Sequence, residues 1–254
     1  MKKLIFVCLI ALSAMYAEVL KVGATPIPHA QILKEIIPDL KKEGIDLQVV
    51  EFTDYVTPNL ALADKSLDAN FMQHQPYLDQ INKDRHLHLV SIAKIHIEPL
   101  GFYSKKIKSI GALKNGATIA IPNDPSNGGR ALILLDKQGL IKLKDPSNLY
   151  ATEFDIIANP KKLKIKSLDA AMLAKSLDDL DGAIINTNYA LQAGLKTKDA
   201  LFSEGKDSPY ANILVVREGD ANKPSILKLK KALQSQKVKD FILKTYQGEI
   251  IPAF

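Results

Sequence analysis

Apolar residues along this chain recur with two spacings that take turns: short stretches of alternating or continuous apolar residues, and longer ones with a period near 3.6. Residues 19–24 predict a strand, and residues 30–42 carry helical spacing that stops at Gly44, a natural helix end. Residues 46–52 predict a second strand, residues 60–63 belong to a helical stretch, and residues 67–71 predict a further short strand. In the middle of the chain a buried strand at 117–121 leads into a helix over 129–137. A helix over 168–177 then precedes a strand at 182–185. A late strand at 213–216 is followed by terminal helices over 225–246. Strands interleaved with helices predict an α/β protein with mainly parallel sheets.

One echo organises this plan. Residues 61–71 (ALADKSLDANF) and residues 172–186 (MLAKSLDDLDGAIIN) each read as a helix, an acidic turn and a short strand with a polar or aromatic residue at its far end. One such unit in each half suggests two similar lobes. Ligands of open α/β sheets sit beyond the carboxyl ends of strands, so these ends are expected to face a shared crevice.

The N-terminus changes the picture. Met1-Lys2-Lys3, an uncharged apolar run over residues 4–12 and small residues ending at Ala17 have the order of a secretory signal, too short to span a bilayer. Cleavage is expected near Ala17. That removes Cys8, the only cysteine, and with it any disulfide, thiol catalysis or cysteine-bound metal. The mature 237 residues would carry +4 instead of +6. The 31 lysines are scattered, and those at residues 161–166 alternate like an exposed edge strand. Without interleaved aromatics and arginines they do not form a nucleic-acid surface.

Candidate chemistry lies in two places. Residues 121–132 (IPNDPSNGGRAL) read as a strand end, a turn-rich loop and a helix start, which would aim backbone N–H groups and the positive helix end at an anion. Arg130 adds a guanidinium fork suited to a carboxylate. It is one of only three arginines, with Arg85 and Arg217, the latter read as a surface residue. The alternative is a helix-capping loop with a surface arginine. In the second place, Phe71, His74 and Tyr77 are three apart, which puts them on one face if the segment turns like a helix. With Tyr55 upstream they would form an apolar box for an unbranched or thioether side chain, or they are simply core. Two other readings stay open. A zinc transport protein would use His74, His86, His88 and His96, with His86 and His88 on one strand face. A periplasmic enzyme is the other, although no G-x-S-x-G or similar nucleophile context is visible.

Five strings carry a resemblance: residues 22–30 (VGATPIPHA), 71–77 (FMQHQPY), 123–132 (NDPSNGGRAL), 186–190 (NTNYA) and 208–212 (SPYAN). In order over essentially the whole mature chain, they resemble the NlpA-type methionine-binding proteins. The resemblance implies a two-lobed periplasmic-binding-protein fold, methionine or a closely related amino acid or methionine-containing dipeptide as ligand, and the membrane permease of an ABC importer as partner. It implies no cofactor and no catalysis, and a chain that acts as a monomer. It places the amino acid's charged end on Arg130, Asn186 and Asn212, and its side chain in the box of Tyr55, Phe71, His74 and Tyr77. The lobes are expected over residues 18–104 with 206–254, and over 105–205. The family is usually tethered through a cysteine just after the signal. Ala17-Glu18 stands there instead, so a periplasmic product without a lipid anchor is expected.

Overall fold

The computed structural model describes residues 17–205 and 208–254; the expected leader and Cys8 lie outside the described residues. The chain opens with β1 (Glu18–Ala24), α1 (Gln31–Lys42), β2 (Ile45–Glu51), α2 (Thr57–Ala63), β3 (Ala69–His74), α3 (Gln75–Arg85) and β4 (Leu89–Ile97). It continues through β5 (Gly101–Tyr103), β6 (Thr118–Pro122), α4 (Pro125–Lys137), β7 (Lys142–Leu143), β8 (Ile156–Ala158) and β9 (Lys164–Leu168). Next come α5 (Ala170–Leu173), β10 (Gly182–Ile185), α6 (Thr187–Gln192) and β11 (Phe202–Ser203). The chain closes with β12 (Ala211–Arg217), α7 (Pro224–Leu233), α8 (Gln236–Tyr246) and β13 (Ile251–Pro252).

Two main sheets result. The first has the order β13-β4-β12-β3-β1-β2 and the second β11-β5-β10-β6-β9. Pairing is parallel where a helix carries the chain over the sheet, as in β1 with β2 and β3, and in β6 with β9 and β10. It turns antiparallel where the chain passes between sheets, because β12 meets both β3 and β4 head to tail, and β5 meets β10 in the same way. The sheets are therefore mixed rather than mainly parallel. Since Gly101–Tyr103 pairs within the second sheet, the first crossing falls at residues 98–100, ahead of the expected 104. The chain returns between Ser203, the end of β11, and Ala211, the start of β12.

Period-two alternation builds the layers. In β12, Leu214 and Val216 enter a core with α1, α7 and α8, while Ile213 and Val215 enter one with α2 and α3. In β6, Ile119 and Ile121 join Leu132 and Leu135 of α4, whereas Ala120 joins Leu173 and Tyr189 on the opposite face. The helix α1 buries Ile32, Leu33, Ile36 and Leu40, a stripe at helical spacing, and keeps Pro38 on its exposed side. Gly44, at φ +79°, ends it in a backbone conformation that a β-carbon disfavours. The lysine-rich β9 is indeed an edge strand. The helix expected over 168–177 contracts to Ala170–Leu173, beyond which the chain goes into turns.

The helix α4 packs closely at Gly129. A β-carbon there would lie 2.4 Å from the Leu149 carbonyl oxygen and 2.9 Å from the Ala151 nitrogen, both backbone atoms that cannot swing away. Gly129→Ala is expected to cost roughly 1–3 kcal/mol, lowering Tm by about 2–4 °C per kcal/mol. Gly111→Ala, where nothing lies within 4 Å, should leave it unchanged. Paired thermal melts decide, and equal Tm values would refute the packing argument.

Candidate functional site

The carboxyl ends of β3, β6 and β10 converge on a narrow cavity of about 20 Å3 between the two sheets, room for about one water as the side chains stand. A wider depression of about 380 Å3 lies on the far side of Arg130, lined by apolar residues such as Ile133, Leu134 and Leu149. The smaller cavity draws polar side chains from both sheet units, His29, His74 and Asn212 from the first and Asn127, Arg130 and Asn186 from the second.

Arg130 stands in the second turn of α4, 3 % exposed. Its Nε donates to Glu204 Oε1 (2.8 Å), and its Nη2 donates to Glu204 Oε2 and to the Glu98 carbonyl oxygen (2.8 Å). The guanidinium carbon lies 4.2 Å from the ring centre of Tyr210. Burial works against this charge, but Glu204 outweighs it and holds the guanidinium above its usual pKa. The two-pronged face expected to grip a ligand is thus filled by the protein's own carboxylate. Among the described residues, Nη1 is the guanidinium nitrogen left without a partner. Nor does the helix end wait for an anion. Asp124 is its N-cap, accepting from the backbone N–H of Asn127 (2.9 Å) and from Asn127 Nδ2 (3.0 Å to each oxygen).

His74 closes β3 and caps α3: its Nδ1 accepts from the Tyr77 N–H (3.3 Å), so Nε2–H donates to Asn127 Oδ1 (3.0 Å). Burial, helped by Arg130, pushes its pKa down to about 3, so the ring is neutral at pH 7. Asn127 Oδ1 also accepts from Asn186 Nδ2 (2.9 Å). Asn186 Oδ1 and Asn188 Nδ2 are buried without a partner. Asn188 Oδ1 accepts from the Tyr55 hydroxyl (2.7 Å), a contact between the two sheet units like that of His74 with Asn127.

A third group sits on the first sheet's side. Glu98, 6 % exposed, accepts through Oε1 from His96 Nε2 (2.7 Å) and through Oε2 from the Asn188 N–H (3.0 Å). His29 Nε2 lies 3.2 Å from the same Oε1 and donates to Asn212 Oδ1 (3.0 Å), while its Nδ1 pairs with Thr25 Oγ1 (2.7 Å). Burial lowers His29 to about 4 and His96 to about 3 and raises Glu98. The cluster is then two neutral imidazoles around a carboxylate.

The structure sorts the sequence-predicted residues. Arg130, Asn186, Asn212, Tyr55, His74 and Tyr77 all line the cavity. Phe71 does not. The segment holding it is a strand, so Phe71 and Met72 point to opposite faces: Phe71 enters the core edge-on to His29 (4.7 Å between ring centres), and Met72 lines the cavity. The three-apart spacing was helical, and the backbone is not. Sequence reasoning missed Glu98, Asn127 and Asn188, and it set His29 near the mouth of the cleft without giving it chemistry. Residues 22–30 and 186–190 flagged His29 and Asn188, while nothing local marked Glu98.

The expected zinc set does not assemble. His86 caps the C-terminus of α3 in a left-handed conformation rather than lying on a strand, and both His86 and His88 are exposed. His96 joins His29 and Glu98 instead. The 2.7 Å separation of His96 Nε2 from Glu98 Oε1 suits a shared proton; ligands about 2.0–2.1 Å from a tetrahedral zinc stand farther apart than that.

Comparison with known proteins places this arrangement. The family model for NlpA lipoprotein matches residues 20–254. The probable D-methionine-binding lipoprotein MetQ of Pasteurella multocida (strain Pm70) is 48% identical over 238 residues, 92% of this chain and 86% of that protein. A nutrient binding protein from Burkholderia cenocepacia, its structure solved bound to methionine, superposes with a TM-score of 0.90 at 49% identity, covering 92% of this chain and 100% of that one. An ABC transporter periplasmic substrate-binding protein from Coxiella burnetii gives 0.88 at 48% identity, covering 92% and 100%. With a two-lobed fold, a polar cavity between the lobes and a match running from residue 20 to the last, this chain belongs to the NlpA lipoprotein family.

Proposed function

We propose that this protein captures methionine in the cavity between its lobes and delivers it, unchanged, to the permease of an ABC importer outside the cytoplasm. The observation that carries this is the set of polar groups left without a partner around one cavity, a lone acceptor at Asn186 Oδ1, a lone donor at Asn188 Nδ2 and the open Nη1 of Arg130, beside the buried carboxylate of Glu98, which the two imidazoles and the Asn188 N–H hold in place. Those are the partners a zwitterion needs, acceptors for an ammonium and donors for a carboxylate. Glu98 and Asn186 would take the ammonium, Arg130 and Asn188 the carboxylate. Asn212, held by His29, closes the wall beside them. Tyr55, Met72, Tyr77 and the ring of His74 would enclose the side chain. The relatives' names support this reading, since they describe D-methionine-binding lipoproteins and a substrate-binding protein.

Calorimetric titration of ligand-stripped protein tests it. Methionine should bind more tightly than norleucine by roughly 0.3–1.5 kcal/mol, the gain of a thioether sulfur among aromatic rings. Methionine sulfoxide should be weaker, because its oxygen would be buried, and β-branched valine and isoleucine weaker still. Tighter binding of glutamine or of zinc than of methionine would overturn the assignment.

A further inference from the structure

Glu204 stands at the start of the return crossing and meets three partners at once. It accepts from Arg130 through both oxygens, and its Oε2 also accepts from the Leu100 N–H (3.0 Å) and the Ser208 hydroxyl (3.3 Å). The backbone N–H of Glu204 donates to the Leu100 carbonyl (2.9 Å). Leu100 belongs to the outward crossing, so this one side chain joins both connections between the lobes to Arg130.

The side from which it approaches matters. Arg130 lines the polar cavity, and Glu204 does not; Glu204 lines the neighbouring depression, whose wall Arg130 also reaches. Glu204 and a ligand in the cavity would therefore reach the guanidinium from opposite sides, without competing for the same nitrogens. A carboxylate in this place keeps a buried arginine neutralised when the cavity is empty and fixes the direction of its remaining nitrogen.

We propose that Glu204 is a positioning residue: by holding Nε and Nη2 of Arg130 it presents Nη1 alone to the ligand's carboxylate, and it ties that contact to both crossings. This rests on the proposed capture of methionine, and the test separates the two. Wild-type protein is titrated at pH 6.5 with methionine and with methioninamide, whose amine is charged there (pKa about 7.7–8.0) and whose carboxylate is replaced by a neutral amide. Absence of wild-type binding to methionine would remove the proposed ligand, whatever Glu204 does.

Given wild-type binding, Glu204→Gln should weaken methionine about tenfold or more, the scale of a hydrogen bond to a charged group, and change methioninamide by less than about threefold. The preference for the carboxylate thus collapses while the rest of the site still binds. Glu204→Asp, which keeps the charge but cannot span the same distance, should show the same loss of preference and serves if the glutamine variant does not fold. Equal weakening of both ligands would reduce Glu204 to a structural role and overturn the proposal. Unchanged or tighter methionine binding would show that Glu204 competes with the ligand for Arg130, which overturns it as well.

Discussion

Replacing Arg130 with alanine is expected to weaken methionine binding by roughly 2–5 kcal/mol, mainly through faster release. The side chain is 3 % exposed and carries the one positive charge lining the cavity. Its loss leaves two anions short of a partner, the ligand's carboxylate and Glu204, whose side chain is only 12 % exposed. Breaking a buried pair in this way costs far more than the pair contributes when intact. Arg85→Ala, on the exposed end of α3, should leave affinity unchanged. Arg217 is not the surface residue its sequence position suggested: Nε reaches Asp220 (2.6 Å), and Nη1 donates to the carbonyls of Leu62 (2.6 Å), in the last turn of α2, and Leu67 (2.5 Å), beyond the turn that follows it. Arg217→Ala should lower Tm and spare affinity. Stopped-flow release and calorimetry on the three variants decide; similar affinities for Arg130→Ala and Arg85→Ala would sink the assignment.

Acidification should destabilise the fold steeply below pH 6.5. Burial holds His29 near 4 and His74 and His96 near 3, against 6.5 for an ordinary imidazole. Folded-state values lie below unfolded ones, so the unfolded chain binds the extra protons. The stability from keeping these rings neutral is complete above pH 6.5 and is lost as pH falls towards 4 and 3. Each group contributes about 1.4 kcal/mol per pH unit inside that window, and three together about 4 kcal/mol per unit. Glu98 and Asp124, raised by burial, act in the opposite sense: they take up protons earlier in the folded protein and offset part of the loss. Against a typical stability of about 5–15 kcal/mol, unfolding is expected above pH 4. Urea denaturation at pH 7.5, 6.0, 5.0 and 4.5 measures the slope, and a stability that stays flat from pH 7 to 5 would contradict the buried neutral rings.

Local pattern was enough for most of the scaffold. Strands such as β1, β2, β10 and β12, and the helix α1 with its stop at Gly44, follow from side-chain period and backbone preference, which neighbours in sequence set among themselves. The strings around Arg130, Asn186 and Asn212 were likewise visible as strings, and the fold brings those three residues to one cavity. Where two periods competed, pattern failed: Phe71, His74 and Tyr77 share a helical spacing, but β3 ends only at His74, which exchanges Met72 for Phe71 in the cavity wall.

Partnership was beyond the reach of sequence. Arg130 looked like a free carboxylate grip because Glu204, its partner, is 74 residues away, and His29 meets Asn212 across 183. Glu98 lies in a crossing with no motif of its own, and becomes a site residue only because His29, His96 and Asn188 close around it. Sequence period decides which face of an element is apolar, because that depends on local geometry. Which charge is left over for a ligand depends on how many partners the folded protein has already supplied, and only the tertiary structure decides that.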